Sequence, residues 1–445
     1  MINWEAVPQF PQWLFDTMDA QSTNSFSPFI QSPYLGNGLK QLSDRSFFGI
    51  KKGLHNIRTI LEALGDPDRH FPLILIGGTN GKGSTGSIIA HAGRAAGLKI
   101  GWTTSPHLRH PRERIWIDGQ FIADVDLDRI LENIFDKEKK LNITLTYFEL
   151  IIASALQSFF EERVDLAIVE VGMGGRWDAT NATDPVLSVI TNVGMDHQQY
   201  LGDTRELIGR EKLAIARSHR PLILGPSLTR DWVEPLLENT PTLYFASSLE
   251  TRAQIFWNYS LVDGQKYGLA GRHQLDNLAC AQAAIEQLRK MGFKLPSRIC
   301  EKSLGQLHWP GRLSPLPRFS NVWLDGAHNA EGLEAMRQHC VTTGKAPHLY
   351  FGVMKDKDLP TMVETLKRFP RQSLTLIQGK ADRFAAQDDL SRLFTHHGLE
   401  HITLPSWDGL ASRLEAHQGG PVLVLGSLYL LGEILEHFNL IPNPE

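Results

Sequence analysis

The sequence predicts an α/β fold, a doubly wound and mostly parallel sheet followed by a smaller second α/β domain. Three observations carry that expectation. Short, continuously apolar runs alternate with stretches of helical period, as strands buried on both faces and their crossover helices do. A glycine-rich turn separates the first such run from the helix after it. A stretch broken by Pro and Gly, His308–Pro317, precedes a second round of the same alternation.

In chain order, residues 1 to about 35 are rich in Gln, Ser, Pro and Phe without a sustained period. They read as an irregular extension with one short helix around Trp13. From Gly49 to Leu64 the residues Ile50, Leu54, Ile57, Ile60, Leu61 and Leu64 share one helical face, and Gly65 ends it. Leu73–Gly77 is the first strand, and a helix from Ser84 to Ala96 follows. Further strands are expected at Lys99–Ser105, Asp165–Gly172, Val186–Gly194 and Pro221–Gly225. Helices are expected at Phe148–Glu162, Glu206–Arg217 and Asn277–Met291. Beyond the interruption, VWLDG, HLYFGVM, SLTLIQG, HITLP and VLVLGS are strand candidates. The expected domains are therefore residues 1–309 and 310–445.

Composition narrows the class. The chain has 445 residues, more than one hydrophobic core usually serves. Its hydrophobic share of 42% and charged share of 21% are those of an ordinary globular protein. A net charge of -4 argues against nucleic acid as a partner, since nucleic-acid binders carry a basic excess. Cys280, Cys300 and Cys340 lie far apart, which suits a reducing compartment rather than a disulfide framework. MINWEAVPQF is not patterned as a secretory leader, and PVLVLGSLYLLGEIL is too short and interrupted to span a bilayer. A cytoplasmic protein with no membrane partner is the expectation.

The turn after the first strand reads GGTNGKGST, Gly77–Thr85. Glycines there let backbone N–H groups approach an anion, and the helix start adds partial positive charge. Lys82 supplies a full charge for the β- and γ-phosphates of a nucleotide. The strict pattern GxxxxGK[ST] is not met, because Ile76 stands at its first Gly and Gly83 follows Lys82. A glycine-rich turn with an incidental lysine is the alternative.

Further motifs follow in order: SPHL (Ser105–Leu108), ER (Glu113–Arg114), TYFE (Thr146–Glu149), EVGMGGRWDATN (Glu170–Asn181) and DH (Asp196–His197). After these come GREK (Gly209–Lys212), GRHQLDN (Gly271–Asn277), PGR (Pro310–Arg312), LDGAHN (Leu324–Asn329) and MKDKD (Met354–Asp358). With GTNGKGS, this series resembles the folylpolyglutamate synthase / dihydrofolate synthase family of the Mur ligase superfamily, over about residues 40 to 430, in its bifunctional bacterial form. The resemblance implies a Mur-ligase-like P-loop ATPase domain and a Rossmann-like C-terminal domain that closes over ATP. It implies a monomer that ligates L-glutamate to a pterin-linked carboxylate, either dihydropteroate or a reduced folate. The cofactors implied are ATP and two Mg2+ ions. A peptidoglycan Mur ligase is the nearest rival, but about 75 residues before the phosphate loop leave little room for a UDP-sugar module. A P-loop switch or motor is a rival from another class, and it gives SPHL, GREK and LDGAHN no purpose.

Site residues follow from the same motifs. The resemblance gives Thr79, Asn80, Gly81, Lys82, Gly83 and Ser84 to the phosphates. Glu170 ends the apolar run AIVEVG, where an uncompensated carboxylate is costly. A Mg2+ ion would compensate it, and a structural arginine is the alternative. Ser105, Glu170 and His197 lie at the C-terminal ends of separate expected strands, and those ends share one edge of an open sheet. By resemblance Ser105 and Glu170 hold one Mg2+, and Glu170 and His197 hold a second. His197 alone reads equally as a loop histidine. Lys212 reads from the sequence as a solvated helix residue; by resemblance it is carbamylated and serves the second metal.

The resemblance places nucleotide contacts at Asn277, Arg312, Asp325 and His328, with helix capping the alternative for Asp325–Asn329. Ala330 replaces the usual proline there. The pterin is assigned to Thr146, Tyr147, Phe148 and Glu149 and to Trp177, Asp178 and Ala179. The aromatic members suit a flat ring, or ordinary core. Trp177 departs from the smaller aliphatic residue common at that position.

Overall fold

In the computed structural model, residues 36–45, 53–417 and 420–440 are described. The expected helix around Trp13 and residues 49–52 of the expected Gly49–Leu64 helix lie outside them; the latter helix is shorter than its apolar pattern suggests, running His55–Ala63 with Leu54 as its N-cap. Among the described residues one unit runs to Leu307 and a second begins at His308.

The first unit is built on an eight-stranded sheet. Its strands are β1 (Leu73–Gly77), β2 (Ile100–Thr103), β3 (Ile115–Ile117), β4 (Gln120–Phe121), β5 (Leu166–Glu170), β6 (Leu187–Ile190), β7 (Pro221–Leu224) and β8 (Thr242–Phe245). The order is β4-β3-β2-β5-β1-β6-β7-β8. From β2 to β8 every neighbouring pair is parallel, while β3 and β4 run antiparallel at the edge. LILIG, LAIVE and LSVI are buried along their whole length because helices cover both faces of these central strands. Each fully buried Leu or Ile contributes roughly 1.5–3 kcal/mol by leaving water. The helix Lys82–Ala95 packs on Arg272–Lys290, and Asp124–Leu141 packs on Tyr147–Glu161.

Successive connections leave β1 toward β2 on one side and reach β6 on the other. The C-terminal ends of β5, β1 and β6 therefore flank a topological switch point, where open α/β sheets bind ligands. A small antiparallel sheet, β9 (Ala253–Ile255), β10 (Ser260–Val262) and β11 (Gln265–Tyr267), follows β8. The sequence pattern did not foretell it, since its strands are only three residues long.

The second unit has a six-stranded sheet, ordered β12-β13-β17-β14-β15-β16. Its strands are β12 (Ser314–Pro315), β13 (Val322–Leu324), β14 (His348–Phe351), β15 (Ser373–Ile377), β16 (Ile402–Leu404) and β17 (Val422–Leu425). All pairs are parallel except β12 with β13. Each of the five expected runs supplies one of the strands β13 to β17. Among the described residues no helix is long and apolar enough to cross a membrane.

Two expected elements end early, for a common reason. The strand expected to Gly194 stops at Ile190, because Thr191, Asn192 and Gly194 turn polar groups to the phosphate loop. The helix expected to Arg217 stops at Leu213. There Ile215 enters the core, its carbonyl accepts from Ser188 Oγ, and Arg217 donates to the Asn181 and Thr183 carbonyls. In both places tertiary hydrogen bonds replace those of a longer regular element.

Candidate active site at the sheet edge

The glycine-rich turn leaves β1 directly and enters the helix Lys82–Ala95. Gly78 and Gly81 have φ of +145° and +84°. A Cβ at Gly78 would strike Thr191 Oγ1, and one at Gly81 would strike Asn277 Oδ1, so both conformation and space demand glycine. Gly81→Ala is expected to weaken ADP binding about tenfold or more, since left-handed strain alone costs about 1–2 kcal/mol. Calorimetry with MgADP checks it, and unchanged affinity would show that the loop tolerates another shape.

The loop is held from outside. Thr79 N donates to the Asn192 carbonyl at 3.2 Å, and Thr79 Oγ1 accepts from Gly194 N at 2.9 Å. Lys82 Nζ donates to the carbonyls of Gly78 and Thr79, at 3.1 and 3.2 Å, so its charge stays on the loop. In the helix's first turn Ser84 Oγ and Thr85 Oγ1 are buried without a hydrogen-bond partner among the described residues. Buried hydroxyls in that position, at a helix start, suit a phosphate and its cation.

Glu170 is the last residue of β5 and only 3% exposed. Its Oε2 accepts from Thr104 Oγ1 at 2.5 Å and from the Ser105 backbone N–H at 3.3 Å, so the end of β2 orients it. The Ser105 backbone thus stands beside Glu170. His197 sits in a left-handed turn (φ 53°) before the short helix Gln198–Leu201, its ring 3.8 Å from the Asp196 carboxylate. Among the described residues no three His, Cys, Asp or Glu side chains gather as a metal cluster. Mg2+ usually takes one or two carboxylates and completes its shell with phosphate oxygens and water. The oxygen donors of Ser105 and Glu170 fit that chemistry.

Lys212 corrects the sequence reading. A solvated position was expected; the residue is 4% exposed and its Nζ donates to the Gly78 carbonyl at 3.1 Å. The helix Arg205–Leu213 lies over the loop after β5, where Gly175 leaves room for the Glu211 and Lys212 carbonyls. Arg176 fastens that loop to Glu211 and Glu238, at 2.9 and 2.6 Å. Helical periodicity shows which face a residue occupies but not that a phosphate loop passes that face.

Most residues assigned to the pterin do local structural work here. Thr146 and Glu149 form a reciprocal capping box at the start of the helix Tyr147–Glu161, at 3.2 and 2.7 Å. Tyr147 is buried under the Arg114 guanidinium, 5.4 Å from its ring centre. Arg114 Nε in turn donates to His107 Nδ1 at 2.9 Å. Phe148 lies against Gly172. Asp178 accepts from Met173 N, Thr180 N and Thr180 Oγ1, and burial pushes its carboxyl above the usual range. Ala179 is buried, while Trp177 presents 47% of its surface. Thr146→Ala is expected to cost about 1 kcal/mol of stability, the usual value of a cap, and to lower the melting temperature by about 2 °C. A higher KM for the pterin acid with no change in melting would instead make Thr146 a substrate contact.

Asn277 is buried, donates to Gln274 Oε1 at 2.9 Å and stands against Gly81. In the second unit, Asp325 accepts from Leu313 N and Ala327 N, both at 2.9 Å. Burial raises its carboxyl pKa, and the Arg312 charge opposes the rise. His328 Nδ1 lies 2.8 Å from the Gly326 carbonyl. The helix cap in this motif is Asn329, which accepts from Gly332 N at 2.8 Å; Asp325 braces the turn before it. The sequence reading missed Thr104, Thr191 and Asn192. Their one signal was polarity directly after apolar runs.

A parallel sheet with a phosphate loop at its switch point, an oriented carboxylate beside it and a buried lysine behind it defines a nucleotide-dependent enzyme of the Mur ligase class. Residues 76–225 match the Mur ligase middle domain. The dihydrofolate synthase/folylpolyglutamate synthase of Bacillus subtilis is 30% identical over 419 residues, covering 87% of this chain and 95% of that one. The chain belongs to the folylpolyglutamate synthase / dihydrofolate synthase family of ATP-dependent ligases. A probable bifunctional folylpolyglutamate synthase/dihydropteroate synthase of Haloferax volcanii is 31% identical over 429 residues, and the chain spans about half (49%) of its length. Among solved structures, Mycobacterium tuberculosis folylpolyglutamate synthase, complexed with ADP and AMPPCP, has a TM-score of 0.78 at 26% identity. The match covers 91% of this chain and 98% of that one. A bifunctional folylpolyglutamate synthase/dihydrofolate synthase with Mn, AMPPNP and L-glutamate bound has a TM-score of 0.74 at 25% identity, covering 90% and 98%.

Proposed function

We propose that this chain joins L-glutamate to a pterin-linked carboxylate through an acyl phosphate, accepting both dihydropteroate and reduced folate. The observation that carries the reading is the meeting of Lys82, Lys212 and the phosphate loop at one point, the Nζ of each donating to Gly78 O. The acceptor carboxylate attacks the γ-phosphorus of ATP, ADP leaves, and the glutamate amine then displaces phosphate to form the amide. Lys82 moves from the loop carbonyls onto the β- and γ-phosphates and offsets charge on the group in transfer. The loop N–H groups and the hydroxyls of Ser84 and Thr85 orient the same phosphates.

Two Mg2+ ions, when bound, neutralise phosphate charge. Ser105 and Glu170 would hold one, and Glu170, His197 and a carbamylated Lys212 the other. Thr104 keeps the Glu170 carboxylate turned for this work. Asn277 is proposed as an adenine contact, and Arg312, Asp325 and His328 as nucleotide contacts; the closeness of Arg312 to Asp325 supports treating that pair as a unit. Exposed Trp177 is the proposed stacking surface for the pterin. A monomer in the cytoplasm is the proposed working form.

The test is glutamate-dependent ADP release with Mg2+, using dihydropteroate and tetrahydrofolate separately and weighing the products. Release with both acceptors supports the bifunctional reading. Release with tetrahydrofolate alone leaves polyglutamate extension only, and no release with either overturns the folate assignment.

A further inference from the structure

Thr191 and Asn192 follow β6 and have no part in the chemistry above, yet both aim their side chains at one residue of the phosphate loop. Asn192 Oδ1 accepts from Asn80 N at 2.9 Å, and Asn192 Nδ2 donates to Asn80 O at 3.1 Å. One side-chain amide thereby pairs with both backbone polar groups of Asn80. Thr191 Oγ1, on a residue only 3% exposed, donates to the same Asn80 carbonyl at 2.6 Å. The Gly77 carbonyl lies farther from that hydroxyl, at 3.3 Å, and accepts instead from Thr191 N at 3.0 Å.

We infer that Thr191 and Asn192 are positioning residues, a clamp that fixes the peptides on either side of Asn80 so that the following N–H groups already face the phosphates. The physical need is local. Gly78 and Gly81 give the loop wide conformational freedom, and a loop that must be ordered by its ligand binds that ligand more weakly. Pre-organised donors carry no such cost, and they are the source of electrostatic stabilisation in phosphoryl transfer. Asn80 is the last residue before the left-handed Gly81, so its peptide plane sets the direction in which the loop enters the helix. The clamp reaches the loop from β6, the strand paired with β1, which gives it a rigid base.

This inference rests on the nucleotide reading of the loop. Its test is calorimetric binding of MgADP, with KM measured separately for ATP and glutamate. Asn192→Ala and Thr191→Val are expected to raise the ADP dissociation constant about tenfold, with a matching rise in KM for ATP. KM for glutamate should stay within about twofold. Thr191→Ser keeps the hydroxyl and should bind like wild type; Thr191→Val keeps the shape and should not. Asn192→Asp keeps the acceptor for Asn80 N but sets an oxygen against Asn80 O, and should bind more weakly than Asn192→Ala. The clamp is overturned if Thr191→Val and Asn192→Ala bind MgADP as wild type does, or if glutamate KM rises as much as that for ATP. Wild-type protein that took up no MgADP would remove the nucleotide reading itself.

Discussion

Glu170→Gln lowers glutamate-dependent ADP release by about a thousandfold, the scale seen when a group stabilising transition-state charge is removed. Glutamine has the same shape and keeps an oxygen for Thr104 Oγ1 and the Ser105 N–H, so the end of β2 stays docked on β5. What it lacks is the negative charge. A residue 3% exposed gives up no solvent contact in the exchange, so the melting temperature should stay within about 2 °C of wild type. Glu170→Asp keeps the charge but withdraws it by one methylene, and should recover part of the rate. The measurement is kcat with saturating ATP and acceptor, beside a thermal melt of each variant. A Glu170→Gln enzyme turning over near the wild-type rate would show that the carboxylate only supports the sheet edge.

Lys212→Ala is expected to reduce kcat by about a hundredfold or more, through loss of a group held against the phosphate loop. Two roles for that group give different results. As a carbamate it supplies a carboxylate-like oxygen pair, and short carboxylic acids such as acetate should restore part of the rate by entering the space left. As an ammonium it only tethers Gly78 O, and acetate should do nothing. Full activity in Lys212→Ala removes both roles. A small loss accompanied by a lowered melting temperature would leave Lys212 as a packing residue beneath its helix.

Much of the fold was legible because its strands are short and wholly apolar. LILIG forms β1 with the expected bounds, and PLIL and VLVL lie within runs read as strands. The helix Arg272–Lys290 begins five residues ahead of its expected start at Asn277, inside the motif GRHQLDN, where functional spacing hid the period. The three-residue strands β9 to β11 fall below the length at which alternation can be counted. The phosphate loop was legible for a different reason. Glycines at positive φ leave a mark in the sequence wherever a side chain would collide, as at Gly78 and Gly81.

The alternation of strand and helix, the place of the phosphate loop and the carboxylate Glu170 at a strand end could all be read from the residues alone. All of these are matters of chain-local chemistry, set by burial on two faces, by backbone freedom and by the cost of a charge in an apolar run. The roles of Lys212, Thr104, Thr191 and Asn192 come instead from the assembled sheet. Lys212 meets Gly78 across 134 residues, Thr104 meets Glu170 across 66, and Asn192 meets Asn80 across 112. Such pairs are created by strand order, β2-β5-β1-β6, which brings remote segments to one edge. A lysine on a polar helix and a polar pair after a strand look like surface until the sheet closes around them. Thr146 and Glu149 show the converse, since their spacing of three suits a capping box and the helix they begin uses them so.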